Sequence, residues 1–334
     1  MLGKLVQCGL LKRQRTFMDL RQLRYFVGIV QAGSLARAAD QLHVAQSAVS
    51  HHLKSLESEL DRQLVTRGPK GIIVTEAGAA LYGHAEAILR HVESAKQATT
   101  SALNVPSGRV SIGFPVVLAP ILSYELFMRV RIMYPQILLN LGDANSWLLR
   151  ERLVNGRLDM ALLFMAQPER GLAVEPLLHE EFFYVTADPG TSPIPIADAA
   201  QRPLLVAGPG SSSRHVAEEA FKKRGLTATT IGEIETVGTL RRAVASGIGD
   251  TIQPWSALYD GDRKIPLNCR RFADVEVVRP VALCFSEMAQ RSPAIEAVAS
   301  TLKTLVRELV ESGTWQGVSL IPDPAELSSS LAPP

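Results

Sequence analysis

Residues 20–60 read LRQLRYFVGIVQAGSLARAADQLHVAQSAVSHHLKSLESEL, and this stretch decides the architecture of the first part of the chain. Leu20, Leu23, Phe26, Val27 and Val30 recur at steps of three and four, the spacing that lines one face of an α-helix. Gly33 ends the run as a helix C-terminal glycine does, and Ser34 then caps a second helix carrying Leu35, Ala38, Ala39 and Leu42. After His43 and Val44 a third helix is expected from Ala45 to Leu60, with Val49, Leu53, Leu56 and Leu60 turned inward. Two helices joined by a very short turn and followed by a third make a compact helix-turn-helix.

The outward face of the third helix bears on function. It carries Gln46, Ser47, Ser50, His51 and Lys54, all able to hydrogen-bond base edges or phosphates, while carboxylates appear only further along at Glu57, Glu59 and Asp61. The N-terminal half of this helix is therefore read as a face that approaches DNA; a solvated face in an unrelated bundle is the alternative. Next come two short β-type runs, Gln63 to Gly68 and Gly71 to Thr75, separated by a basic turn punctuated by glycine and proline. This reads as a wing with Arg67 and Lys70 placed for backbone phosphates, or else as a surface hairpin with incidental charges.

Thr75 is expected to cap a long helix running to about Ser101, with Ala77, Leu81, Ala85, Ile88, Val92 and Ala95 in a stripe. A lone helix of that length has nothing to bury its stripe against, so Leu81, Ile88 and Val92 are predicted to form a seam with a second subunit. His84 and His91 stand two turns apart with no third ligand near them in sequence, so no metal site is expected.

Composition sets the outer bounds. A chain of 334 residues predicts two or three compact units at roughly 150 residues each. With 46% hydrophobic and 20% charged residues it has the balance of a globular protein, and a formal charge of +2 is too small to decide for or against nucleic acid. Cys8, Cys269 and Cys284 show neither metal spacing nor a disulfide framework and fit a reducing cytoplasm. No apolar run reaches the ~18 residues of a membrane span. In Met1 to Phe17 the apolar core is interrupted and the basic residues follow it, which argues against an export signal and for a disordered extension, with Met18 as an alternative start. No G-x-S-x-G elbow, phosphate-cradling loop or dinucleotide fingerprint is found, so an enzyme is not expected and no cofactor is implied. An exported solute-binding protein remains as a rival class, although it would have no use for residues 18–103.

Beyond Pro106-Ser107-Gly108, strands and helices alternate: Arg109 to Gly113, Ile137 to Leu141, Trp147 to Val154, Met160 to Phe164, Leu204 to Val206, Ser211 to Arg224, Thr239 to Ala245 and Gly249 to Gln253. That alternation argues for α/β lobes.

In the order of these elements, and at Leu23, Phe26, Val27, Gly33-Ser34-Leu35, Ala38-Ala39, Leu42, Gln46, Ala48, Ser50, Leu53, Leu56-Glu57, Leu64, Arg67 and Thr75-Glu76-Ala77-Gly78, the chain resembles the LysR-type transcription regulators. It departs from their usual pattern at Ser47, His51, Asp61 and Val65, where relatives carry Pro, Arg, Gly and Phe. The resemblance implies an α+β multidomain chain. Residues 1–17 are a disordered extension, 18–74 the winged helix-turn-helix DNA-binding domain and 75–104 the long dimerisation linker helix. A C-terminal two-lobed α/β domain of the type 2 periplasmic-binding-protein kind follows, with 109–186 and 278–318 as lobe I, 187–277 as lobe II, crossings near Thr186 and Val277, and 319–334 as a flexible tail.

The implied partners are double-stranded DNA, further copies of the chain in a homodimer that assembles to a homotetramer, and RNA polymerase. In that fold a small anionic effector sits between the lobes at helix N-termini, here matched by Pro115, Val116, Ser146, Ser211, Ser212, Ser213 and Thr236. Gly-Pro-Gly-Ser-Ser-Ser is equally an ordinary helix-start loop, and Phe114-Pro115 stand where relatives present a hydroxyl. Gly232-Glu233-Ile234-Glu235-Thr236 resembles the nitrogen assimilation control branch, for which a ligand-independent regulator is the alternative; Glu233 and Glu235 read equally as exposed strand carboxylates.

Overall fold

The computed structural model describes residues 18–68, 71–100, 105–164, 167–259, 266–287 and 291–322. The expected extension 1–17, Lys70 of the expected wing and residues 323–334 of the expected tail lie outside them. Two compact units divide after Val92.

The first unit runs α1 (Leu20–Ala32), α2 (Leu35–Gln41), α3 (Gln46–Leu60), β1 (Val65–Gly68), β2 (Gly71–Val74) and the start of α4 (Glu76–Thr100). Asp19 opens α1 with a reciprocal capping box: its Oδ1 accepts from the Gln22 backbone, and Gln22 Oε1 accepts from Asp19 N, both at 2.8 Å. Leu23, Phe26, Ile29, Ala38, Val49, Leu53 and Leu56 make the core of the three helices. The N-cap of α3 is Ala45. Ser34 is the extended N-cap residue of α2, but its side chain makes no capping bond.

The expectation that α4 has nothing of its own to cover its stripe is corrected. Ala85 belongs to the core of the winged unit, and Ala77, Leu81, Tyr82, Ile88 and Leu89 pack against it. Gln31 of α1 also donates to Tyr82 Oη and Glu86 Oε1 at 3.2 and 3.3 Å. The first four turns of α4 therefore complete the winged unit.

The second unit contains β3 (Gly108–Pro115), α5 (Ala119–Met133), β4 (Ile137–Ala144), α6 (Ser146–Val154), β5 (Met160–Leu163), β6 (Leu172–Thr186), α7 (Ile196–Gln201), β7 (Leu204–Val206), α8 (Ser212–Lys222) and β8 (Thr230–Glu233). It closes with α9 (Val237–Ala245), β9 (Thr251–Pro254), α10 (Trp255–Leu258), β10 (Asn268–Arg270), β11 (Val278–Ser286), α11 (Pro293–Glu311) and β12 (Val318–Leu320). One sheet runs in the order β10-β6-β11-β5-β3-β4, with β9 and β12 also on β6; β7 and β8 pair in parallel beside it.

Side-chain alternation builds three layers in lobe I. Ile112, Met160, Leu162, Val281 and Leu283 face α5 and α11, whereas Ala161, Leu163, Ala282 and Cys284 face α6. In lobe II the period is the same: Phe182 and Tyr184 face the cluster of α7 and α8, and Phe183 and Val185 face that of α9.

The long strand β6 belongs to both lobes. Leu172 to Glu181 pair with β11, and Phe182 to Thr186 pair with β9 and β10. The pairing changes after Glu181, five residues before the expected crossing at Thr186, because the strand continues unbroken and only its neighbours change. The return passes at Val277, whose carbonyl accepts from Phe182 N at 2.8 Å. The tail expected from residue 319 begins inside β12, where Ser319 and Leu320 pair with His179 and Leu178. Trp315, just before it, is fully buried.

Candidate nucleic-acid interface and regulatory cleft

The helix-turn-helix presents one polar face. Gln46 and Ser47 open α3 and are exposed, as are His51 and Lys54 two turns on, while Ser50 between them is half-buried. None of the five makes a side-chain hydrogen bond among the described residues, so all remain available to a ligand. The α3 N-terminus lacks a side-chain cap, which leaves its first backbone N–H groups free to meet a phosphate.

Contacts on both strands fix the wing, the first to this helix and the second to the turn between α1 and α2. Glu57 of α3 accepts from Leu64 N at 2.9 Å and Val65 N at 3.3 Å, tying the start of β1 to α3. On the other strand Ile72 N donates to Gly33 O at 3.1 Å. Gly71 sits at φ 126°, and a Cβ there would lie 2.6 Å from the Gly33 carbonyl, so only glycine allows this approach. Gly78 is required similarly at the root of α4, where a Cβ would run into the Leu64 carbonyl. Thr75 completes the joint: its hydroxyl donates to Gln63 O at 2.7 Å and accepts from Gly78 N at 3.0 Å. Arg67, opposite Ile72 in the hairpin, is exposed.

Glu57 was legible as a position matching the family pattern and as a carboxylate that a DNA-reading face would avoid. Its role as a brace depends on the turn that brings Leu64 back to it. Of the expected dimer residues, Leu81 and Ile88 are half-buried against the chain's own core; Val92 lies beyond that cluster.

In the second unit the expected effector residues fall at the ends of strands and the starts of helices. Pro115 is the last residue of β3 and buried, and Val116 is 42% exposed. No helix starts at 115–117: Leu118 is the N-cap of α5. Ser146 opens α6, Ser211 is the N-cap of α8 and Thr236 that of α9; none of the caps Asn145, Ser211 and Thr236 makes a side-chain capping bond.

Ser212 and Ser213 are engaged. Both hydroxyls accept from Arg279 Nη1, at 3.1 and 3.3 Å. The same guanidinium donates through Nε and Nη2 to Glu180 Oε2 at 2.9 and 2.7 Å and stacks 3.4 Å over the Phe164 ring. Arg279 and Glu180 are register partners on β11 and β6, next to the point where β6 changes lobe. Burial pushes the Arg279 pKa down, with Glu180 opposing it. Neither residue was singled out from the sequence. The available signal was charge of opposite sign inside two apolar runs, the paired glutamates of LLHEEFFYV and the single arginine of VRPVALCF.

Both thiols of this unit favour the protonated form. Burial, with Glu175 nearby, pushes Cys284 up to about 12, and burial raises Cys269 too, the reverse of an activated thiolate. Among the described residues no cluster of three or more His, Cys, Asp or Glu is arranged to hold a metal, and no helix is long and apolar enough to cross a membrane.

Comparison with known proteins places both units. Residues 20–79 match the model of the bacterial regulatory helix-turn-helix protein of the lysR family, and residues 104–307 match the LysR substrate binding domain. The nitrogen assimilation regulatory protein nac of Escherichia coli K12 is 38% identical over 306 residues, spanning 90% of this chain and 100% of that protein. Among solved structures, a full-length OxyR variant from Pseudomonas aeruginosa is similar at a TM-score of 0.70 and 24% identity, over 87% of this chain and 95% of that one. Full-length CbnR in complex with its target DNA is similar at 0.62 and 21%, over 87% and 99%.

Proposed function

The chain belongs to the LysR family and is a DNA-binding transcription regulator of that type, and from this premise we propose how it reads DNA, what it controls and how it assembles. Gln46, Ser47, Ser50, His51 and Lys54 enter the major groove and set base preference, while Ser34, Arg67 and Lys70 meet backbone phosphates. The observation that carries this reading is the row of exposed, unengaged side chains on α3, held at a fixed register to the wing by Glu57. With Ser47 and His51 at the reading positions, the preferred bases differ from those of relatives with Pro and Arg. Binding titrations with duplexes carrying single base changes test it: substitution at Gln46 or His51 should alter the order of preference, whereas substitution at Arg67 should weaken all duplexes alike.

The regulated genes serve nitrogen supply, on the strength of the 38% identity to a nitrogen assimilation regulator over the full length of that protein. The protein works in the cytoplasm with RNA polymerase as the partner that carries the output.

Its lobes act without a small anionic effector at the serine cluster. The supporting observation is Arg279, which already uses the Ser212 and Ser213 hydroxyls and is itself neutralised by Glu180. A second reading, an anion at Pro115, Val116, Ser146, Ser211 and Thr236, draws on the uncapped starts of α6, α8 and α9. A thermal-shift screen of carboxylates and amino acids, with footprinting of any hit, separates the two: a hit that changes the footprint establishes the second.

Assembly proceeds through α4 to a homodimer, and through the lobes to a homotetramer. Supporting the second step, α5 exposes Tyr124, Phe127, Met128, Ile132 and Met133, and Leu138 of the neighbouring edge strand β4 is 64% exposed. A patch of that kind marks a protein interface. Light scattering of Ile132→Asp, expected to give dimers, tests it.

A further inference from the structure

Arg37 stands in the first turn of α2 and is exposed. Its guanidinium folds back over the turn between α1 and α2, with Nη2 3.6 Å from the point where a Cβ on Gly33 would stand. Among the described residues the side chain makes no hydrogen bond or ion pair. Asp40, three positions on along the helix and exposed, leaves it unneutralised.

Gly33 is also where the wing is fastened. Its carbonyl accepts from Ile72 N at 3.1 Å, and Ile72 is the register partner of Arg67. Opposed residues of an antiparallel pair project to the same face, as do residues two apart on one strand. Val65 and Ile72 both pack against the core of the helices, so Arg67 leaves the hairpin on the face turned toward them. Arg67 is exposed and, among the described residues, unpaired as well. Two uncommitted guanidinium groups thus flank the joint between turn and wing, one carried by α2 and the other by β1. Ser34, next to Gly33, adds a hydroxyl that makes no capping bond.

Like charges brought to one joint with no carboxylate paired to them gain nothing from the folded chain itself. A phosphodiester supplies the missing anion, since its oxygens accept charge-assisted bonds from a guanidinium fork. A nucleic-acid strand presents such groups in regular succession, so neighbouring cations can hold successive phosphates and release a counterion from each.

We propose that Arg37 is a phosphate contact of the winged unit, holding with Ser34 the phosphate next to the one met by Arg67, so that one strand is gripped where the helices and the wing are joined. This rests on the reading of α3 and the wing as the surface that faces DNA. Arg37 is a positioning residue: a phosphate contact fixes where α3 sits in the groove and carries no sequence information of its own.

Salt titrations of the full chain against one random-sequence duplex are the first test. The slope of log K against log salt should fall by about one for Arg37→Ala, about one for Arg67→Ala and about two for the double variant. Each single substitution should weaken binding roughly tenfold, the lower end for a hydrogen bond to a charged group. Arg37→Lys, which keeps the charge, should hold the slope. If Arg37→Ala lowers the unfolding midpoint, Arg37→Gln, which keeps the length of the side chain, carries the same comparison.

Operator duplexes bearing a single methylphosphonate then locate the contact. At one position in each half-site the neutral linkage should weaken the unsubstituted chain but not Arg37→Ala, and that position should adjoin the one that behaves in this way for Arg67→Ala. A double variant whose slope equals that of Arg67→Ala alone would overturn the proposal while leaving the wing as a DNA contact, as would positions that do not adjoin. Slopes unchanged in every variant would overturn the proposal and the reading of the wing together.

Discussion

Arg279 Nη2 lies 2.7 Å from Glu180 Oε2 with both side chains shut off from solvent, at 3% and 0% exposure. The two strands that join the lobes are thus clamped by an ion pair at the crossing itself. Removing one partner leaves the other charge buried, so Glu180→Gln should cost about 3–5 kcal/mol. The pair replaced together by Glu180→Leu and Arg279→Met should cost far less, since desolvation of two charges offsets much of their attraction. Urea unfolding of the two variants checks this.

The packing of α4 separates two roles that one stripe of apolar residues hides. Leu81→Asp places a carboxylate against the core of the winged unit and should unfold that unit and abolish DNA binding. Val92→Asp, beyond the cluster, should leave the winged unit folded and shift the mass measured by light scattering toward smaller assemblies. Equal effects of both on folding would refute the distinction.

Asp61 closes α3 in the left-handed region, at φ 49° and ψ 40°. Glycine adopts that conformation without strain. Asp61→Gly should therefore stabilise the winged unit by about 0.5–1 kcal/mol, read as a rise in its unfolding midpoint.

Burial, together with the hydrogen bond to Asp250, pushes the Tyr184 phenol up to about 12 from an ordinary 10.0. The folded value lies above the unfolded one, so this contribution is fully present below pH 10 and is lost as pH rises from about 10 through 12. Tyr184→Phe should remove that part of the alkaline decline in stability, measured against the unsubstituted chain.

The winged unit was legible because its signals are local. Helical spacing gave α1 and α3, Gly33 gave the turn, and Thr75 gave the start of α4. What stayed hidden depends on distant partners. The stripe of α4 looked unpartnered because nothing local shows that Ala85 meets the core of three earlier helices. The change of lobe fell inside β6, ahead of the expected boundary, because a strand that changes neighbours shows no break in its own sequence. The serines at 211–213 looked like an anion site for a related reason: the guanidinium that engages two of them comes from Arg279, 66 positions after Ser213.

Electrostatic contacts by the wing carry no sequence information but do carry salt dependence. Arg67→Ala should weaken operator and random DNA in parallel and lower the slope of log K against log salt by about one unit. A change confined to the operator would move Arg67 from phosphate contact to base reading.

The central claim is that the first turns of α3 read the operator, and Gln46 is its first exposed residue. The most direct measurement is the ratio of operator to random-DNA affinity for Gln46→Ala and the unsubstituted chain at one salt concentration. Loss of a base contact worth about 1–3 kcal/mol should lower that ratio roughly 5- to 150-fold while random-DNA affinity holds. An unchanged ratio would contradict the assignment of α3 as the reading helix.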